Sequence, residues 1–352
     1  MLKVLPRLIL HILTPDKFTI PLINYLNREM GMYQQVFLCI SKPEDEAICL
    51  LPNVFYLKNP HRKYLFSNTK IVLKYFRRAS KIIIHGNPVL YYFYFFPFAL
   101  KKTYWVIYGQ ADLGTEQSNL EPGLQNFIKR KVLKKVYGHI THIKGDAAMA
   151  NAIFLSQAKL FYSPMYLTNV INTTGYNQPK EFSGVKKILM GNSTEPSNCH
   201  LETFEMLLQY KEADILIYCP LSYGPYNEYR DEVIRKGKEL FQEKFIPVTD
   251  FMELEQYRMF LNTIDIAVFN HKSQTAMGVS TSLLAMGKTV FAYPETTSFH
   301  SLVDRGFRIF DINLIKEGAM LQIYDVAPNI DLIKKYYSIE GLKESYSNIY
   351  NS

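Results

Sequence analysis

The sequence predicts an α/β protein of two Rossmann-like domains, each a parallel sheet with helices on both faces. Three observations carry that prediction: a length of 352 residues, short apolar β-rich runs alternating with helix-length stretches, and a polar Asn/Thr/Gly/Pro segment near mid-chain. A chain this long exceeds one ordinary domain and suits two of roughly 150 to 180 residues. An apolar fraction of 48% with 20% charge is that of a globular protein.

In the first half, the expected strands are Leu8–Leu13, Val36–Ile40, Val54–Leu57, Lys81–His85, Tyr104–Ile107 and His139–Ile143. The opening MLKVLPRLILHILTPD has an apolar core only from Leu8 to Leu13 and no small-residue cleavage site, so it reads as a first strand and not as a signal peptide. The linker-like segment is Thr168–Lys180 (TNVINTTGYNQPK).

The second half alternates more cleanly. Strands are expected at Lys187–Met190, Asp214–Cys219, Phe245–Val248, Asp265–Phe269, Thr289–Ala292 and Arg308–Phe310. Helices are expected at Ser197–Lys211, Tyr226–Phe241, Glu253–Asn262, Val279–Met286 and Ser298–Asp304. Strand–helix–strand at this spacing gives a parallel sheet covered on both sides. The tail from Ile330 reads as helical. The expected domains are therefore residues 1–170 and 171–330, with a tail, 331–352, packing back on the first.

Four cysteines (Cys39, Cys49, Cys199, Cys219) form no CxxC pair, and most sit in or beside apolar runs, so a reduced, cytoplasmic setting is expected. The longest apolar approach, Val89–Leu100, is 12 residues with Pro97 inside it, too short to span a bilayer. The net charge of +8 is uneven. Lys129, Arg130, Lys131, Lys134, Lys135 and Lys144 occur without an acid among them, just after a stretch rich in Tyr and Phe. Such a surface suits nucleic acid or an anionic membrane, and charge alone does not choose.

Ligands of an open α/β sheet gather where the strands end. Gly191-Asn192-Ser193 follows the strand Lys187–Met190: Gly191 lets backbone approach a ligand and Ser193 adds a hydroxyl, and Ser197 followed by Asn198 is expected to cap the next helix. An ordinary strand-to-helix loop would look the same. Gln274-Thr275-Ala276-Met277-Gly278-Val279-Ser280-Thr281 follows Asp265–Phe269. Free amides of Val279, Ser280 and Thr281 would favour a diphosphate through donors and helix dipole together, with His271 and Lys272 adding positive charge. A Ser/Thr-rich helix cap is the plainer reading of that run. Tyr223, Asn227 and Glu228, after Asp214–Cys219, are placed to hold a base or ribose, or simply to make a turn and helix start. In the first half, His85-Gly86-Asn87-Pro88 and the Tyr108–Gly114 loop follow strands. His85, Asp112 and Glu116 are the candidates for a base that accepts a proton from a hydroxyl. Asp112 also suits a helix cap, and His85 a satisfied strand-end histidine.

No Asp-x-Asp triplet, GxxxxGK[ST], GxGxxG, GxSxG or HExxH is present. Dinucleotide oxidoreductase, P-loop ATPase and serine hydrolase readings lose support, and no metal or other cofactor is expected.

The segments HGNP (85–88), VIYGQADLG (106–114), GNSTEPSNCH (191–200), CPLSYGPYNEYRDEV (219–233), GKELF (237–241) and FNHKSQTAMGVSTSLLAMGKTV (269–290) resemble one family in order. It is the bacterial transferases of glycosyltransferase family 56, which move 4-acetamido-4,6-dideoxygalactose (Fuc4NAc) from a dTDP donor to a lipid-linked disaccharide in enterobacterial common antigen assembly. The likeness spans about residues 8–311. Tyr108 stands where the family has tryptophan, and Gln110 is extra.

The resemblance implies a GT-B fold, two Rossmann-like domains facing across a cleft. It implies peripheral action on the cytoplasmic face of the inner membrane with an undecaprenyl-diphosphate-linked acceptor. Asn192, Ser193, Asn198, Tyr223, Asn227, Glu228, Gln274, Gly278 and Thr281 match the donor-side pattern; Gly109, Ala111 and Asp112 match the acceptor side. In that context the partners are a dTDP- or UDP-linked sugar, a lipid-linked oligosaccharide and a membrane surface, with no nucleic acid. Lys129, Arg130, Lys131, Lys134 and Lys135 become the membrane-facing residues. Two other classes remain: a sugar-nucleotide epimerase of the same architecture, which needs no acceptor, and a non-catalytic nucleotide-sugar-binding subunit.

Overall fold

The computed structural model describes residues 8–57, 65–113, 123–172, 184–224, 227–272 and 276–352. The chain forms two compact units: residues 8–170 with Ile339–Ser352, and Ile171–Ser338.

The first unit carries β1 (Leu8–Leu13), β2 (Gln34–Cys39), β3 (Val54–Tyr56), β4 (Lys81–His85), β5 (Thr103–Val106), β6 (Gly138–Thr141) and β7 (Lys159–Tyr162). All are parallel, in the order β3-β2-β1-β4-β5-β6-β7. Every residue of β1 and β4 is buried, which is why LILHIL and KIIIH read as near-continuous apolar runs. The edge strand β7 was not expected. Its KLFY is exposed or half-buried throughout, and a four-residue edge strand has no buried face to impose a pattern.

The second unit carries β8 (Lys186–Met190), β9 (Ile215–Pro220), β10 (Phe245–Val248), β11 (Ile266–Phe269), β12 (Thr289–Ala292) and β13 (Phe310–Asp311). The order is β10-β9-β8-β11-β12-β13, again parallel. In both sheets the order reverses between the first and fourth strands, so each has a switch point at the carboxyl ends of its two central strands. Two apolar layers flank this second sheet, one around Met190, Phe204 and Val233, the other around Phe269, Leu284 and Ile333.

The tail is two helices, not one. Pro328–Tyr337 packs in the second unit, Ser338 is extended, and Ile339–Asn351 packs in the first through Leu342, Tyr346, Ile349 and Tyr350. The tail therefore divides at Ser338/Ile339 and not at residue 330. Of the linker-like segment, residues 173–180 lie outside the described residues.

Candidate active site

In the second unit, the loop after β8 is braced tightly. Gly191 has φ +68 and donates its N–H to Val268 O on β11 at 3.1 Å. A Cβ there would lie 2.6 Å from His200 Nε2, so both backbone and space demand glycine. Asn198, 2% exposed, was expected to cap the following helix. Instead it braces the loop: its Oδ1 accepts the Asn192 N–H at 2.9 Å and its Nδ2 donates to Ser193 Oγ at 2.9 Å. The helix itself starts at His200, from Cys199 in the left-handed region.

Thr194 joins this loop to the one after β9 by donating its N–H to Tyr223 O at 2.8 Å. Gly224 makes that approach possible, since a Cβ at its φ of +106 would sit 2.4 Å from Thr194 Oγ1. Tyr223 projects into solvent, its side chain largely exposed. Asn227 is a helix cap, its Oδ1 accepting the Arg230 N–H at 3.1 Å, and Glu228 is exposed in the first turn of the helix Glu228–Phe241.

After β11, His271 is buried and stacked on Phe269 at 5.1 Å. Burial pushes its imidazole down to about 4, so without a bound anion it is neutral near pH 7, and Lys272 is the cation of the expected pair. Neither His271 nitrogen, nor His200 Nε2, nor Asn192 Oδ1 has a hydrogen-bond partner among the described residues. Buried polar atoms without partners are unusual enough to mark a site where something else binds or moves. Lys272 lines a cavity of about 790 Å³ together with Lys316, Asn270 and three carboxylates, Glu202, Glu205 and Glu295, within the range of small-molecule sites.

The next helix runs Met277–Ala285, beginning two residues before the expected Val279. Its first ladder bond is Ser280 N–H to Ala276 O at 2.8 Å. The amides outside the helix ladder are thus those of Met277, Gly278 and Val279, while Ser280 and Thr281 have theirs engaged. Thr281 is buried and its hydroxyl donates to Met277 O at 2.9 Å. Gly278 has no positive φ, and a Cβ on it would meet nothing within 4 Å among the described residues, so neither its backbone conformation nor those residues require glycine there. Gln274 lies outside the described residues.

In the first unit, Asp112 sits in the short helix Gln110–Leu113. Its Oδ2 accepts the Tyr108 N–H at 2.7 Å, and its Oδ1 accepts from Asn87 Nδ2 at 3.2 Å. Burial raises its carboxyl to about 6, against the lowering influence of the Tyr108 N–H and of Lys129. Gly86, φ +70, lets the loop after β4 pass the Tyr108 ring, 3.1 Å from where a Cβ would be. His85 is not available as a base. It is 2% exposed, its Nε2 lies 3.1 Å from His11 Nδ1 and its Nδ1 2.9 Å from Tyr166 OH, and burial drives it down to about 3. Glu116 lies outside the described residues.

The helix Leu124–Leu133 and the turn after it carry the basic run. Arg130, Lys131, Lys134 and Lys135 are exposed. Lys129 is not one of that set: half-buried, it lies over the Phe154 ring at 5.7 Å and interacts with Asp112. Beside the four cations, Phe95, Phe98, Leu124 and Phe127 are about half exposed or more, and Tyr94 meets Phe127 edge-on at 6.1 Å. Among the described residues no helix is long and apolar enough to cross a membrane.

His11, His200, Asn270 and Tyr166 were not singled out from the sequence. His200 stands inside the GNSTEPSNCH run, which was the only available signal for it.

Solved structures share this architecture. A glycosyltransferase from Rickettsia africae superposes with TM-score 0.62 at 12% identity, over 98% of both chains. Sucrose-phosphate synthase from Thermosynechococcus elongatus gives 0.63 at 10%, over 98% of both. The Anabaena protein Alr3699/HepE, solved with UDP and glucose, gives 0.62 at 11%, over 98% of this chain and 99% of its own. At such identities the likeness establishes the fold, which is GT-B. The profile of the 4-alpha-L-fucosyltransferase family, glycosyl transferase group 56, matches residues 22–305, most of the chain. The chain belongs to that family and is a glycosyltransferase.

Proposed function

We propose that this enzyme moves a deoxy-acetamido sugar of the Fuc4NAc kind from a dTDP- or UDP-linked donor to a polyprenyl-diphosphate-linked glycan. The observation that carries the donor side is the switch point of the second sheet. There the Gly191 loop is bonded to β11, and the helix after β11 opens with the amides of Met277, Gly278 and Val279 outside its ladder, nothing among the described residues lying within 4 Å of a Cβ on Gly278. When the anomeric C–O bond to the diphosphate breaks, the leaving group gains charge. Those amides, the helix dipole and Lys272 stabilise it without a metal ion. The cavity beside Lys272 gives room for the rest of the donor. The identity of the sugar rests on the motif resemblance.

On the acceptor side, Asp112 takes the hydroxyl proton. A carboxyl near 6 is mostly ionised at neutral pH yet basic enough to accept a proton. The exposed aromatic and basic face around Phe127, Arg130 and Lys131 supports docking to an anionic membrane, where a lipid-linked acceptor resides. By this reading the enzyme works as a peripheral protein on the cytoplasmic face of the inner membrane.

The test is a turnover assay with labelled dTDP-Fuc4NAc, UDP-linked sugars and a lipid-linked disaccharide. Label transferred to the lipid-linked glycan is expected. An altered sugar nucleotide formed from donor alone would establish an epimerase; nucleotide binding with no turnover of any acceptor would establish a binding subunit.

A further inference from the structure

Three hydroxyls on the helix Ile339–Asn351 bond it into the first unit, besides the Lys343–Glu29 ion pair and the bonds from Tyr25 and Tyr33 at its two ends. Ser345 Oγ pairs with Ser163 Oγ at 2.9 Å, Tyr346 OH donates to Met165 O at 3.0 Å, and Tyr350 OH donates to Gln35 Oε1 at 2.7 Å. Tyr350 OH also lies 2.8 Å from His11 Nε2.

The direction of every proton in this buried chain follows from one amide. Gln35 Nε2 donates to the carbonyls of Leu26 and Met30 at 3.0 and 3.3 Å, so the Gln35 oxygen must be the atom that faces Tyr350. Tyr350 gives its proton there and accepts the N–H of His11 Nε2. A neutral His11 then has its lone pair on Nδ1, so His85 must donate from Nε2 across the 3.1 Å contact. His85 Nδ1 is left as the acceptor of the Tyr166 hydroxyl at 2.9 Å. The sequence of donors, Tyr166 to His85 to His11 to Tyr350 to Gln35, admits no reversal while both imidazoles are neutral.

The same helix braces the turn that carries Tyr166. Met165 has φ +70, a left-handed conformation that is unfavourable for a non-glycine residue and persists only where its surroundings hold it. Its N–H is bonded to Ser163 Oγ at 2.9 Å and its carbonyl to Tyr346. Tyr166 in turn supports Tyr108, ring stacked on ring at 5.1 Å and 12°. The Tyr108 N–H holds the Asp112 carboxylate.

We infer that the C-terminal helix is a clasp for the acceptor-side loop. Tyr350 and Tyr346 are positioning residues that fix Asp112 through Tyr166 and Tyr108. The catalytic meaning of the clasp rests on the reading of Asp112 as the base; the clasp itself does not.

The test uses the full chain with ¹⁵N-labelled histidine and backbone. In the unmutated protein, His11 and His85 should both show the Nε2–H tautomer in long-range ¹H–¹⁵N spectra. In Tyr350→Phe, which keeps the ring and removes the hydroxyl, the histidine tautomers become mixed and the Tyr108 and Asp112 amide resonances shift. Those two amides staying in place would overturn the clasp. Tyr346→Phe, which releases the Met165 carbonyl alone, should shift the same two amides and guards against a Tyr350 variant that fails to fold. Turnover reports separately: Tyr350→Phe should lower kcat about tenfold, about 1.4 kcal/mol, with donor affinity unchanged. An inactive Asp112→Asn beside a fully active Tyr350→Phe contradicts the clasp. A fully active Asp112→Asn overturns the base assignment and leaves the clasp to the spectra.

Discussion

The Tyr108 N–H donates to Asp112 Oδ2 at 2.7 Å, a bond that favours the ionised carboxylate, yet Asp112 is held up at about 6. Desolvation therefore outweighs the hydrogen bond. The result is an oriented carboxylate that is more basic than an exposed one, with its other oxygen facing Asn87.

That balance sets a pH dependence. The rate should rise with pH along a limb centred near 6, as Asp112 loses its proton. Asp112→Asn should reduce kcat by about 10²- to 10⁴-fold and remove the limb, which a pH–rate series checks.

The same residue bears on stability in the opposite sense. A carboxyl raised from its usual 3.8 to about 6 favours folding in its protonated form. Its contribution is present below the ordinary value and lost as pH rises through about 6. At pH 7.5 the ionised group destabilises the fold by on the order of 3 kcal/mol, so Asp112→Asn should raise the melting temperature there, and not at pH 4. Calorimetry at the two values distinguishes them.

Buried histidines act the other way. His11, His85, His139, His200 and His271 are all lowered, chiefly by burial. A depressed histidine contributes stability that is present above about 6.5 and lost as pH falls towards the folded value. The urea midpoint should fall steeply between pH 7 and 5, with net proton uptake on unfolding. A midpoint flat across that range would contradict the burial of these rings.

For the membrane face, replacing Arg130, Lys131, Lys134 and Lys135 together by Gln should weaken binding to vesicles containing anionic phospholipid by about a hundredfold or more, each cation near such a surface being worth on the order of 1 kcal/mol. Binding to neutral vesicles should change little. Phe127→Ser should weaken both.

Much of the fold was legible because central parallel strands are buried on both faces: Leu8–Leu13 and Lys81–His85 were delimited to the residue. Edge strand Lys159–Tyr162 was not, since half-exposed residues carry no strong pattern. The helix start at Met277 was missed because Ala276 takes a left-handed conformation with no glycine to announce it. The side-chain network was illegible for a different reason. His11 meets His85 74 positions away and Tyr350 339 positions away, and no local spacing records such partners. The motif runs located the loops, but the division of labour within them came from burial: Asn198 and Thr281 turn inward, and His85 is spent inside the core.

Gly278 bears the central claim. Because nothing among the described residues crowds a Cβ there, Gly278→Trp should leave thermal stability close to that of the unmutated protein, and a melting curve measured beside the titration separates a lost ligand from a lost fold. The most direct measurement is calorimetric titration of dTDP and UDP into the unmutated and Gly278→Trp proteins. The account predicts a dissociation constant raised at least about tenfold, about 1.4 kcal/mol, at an unchanged melting temperature. Equal affinity in the two proteins would contradict it.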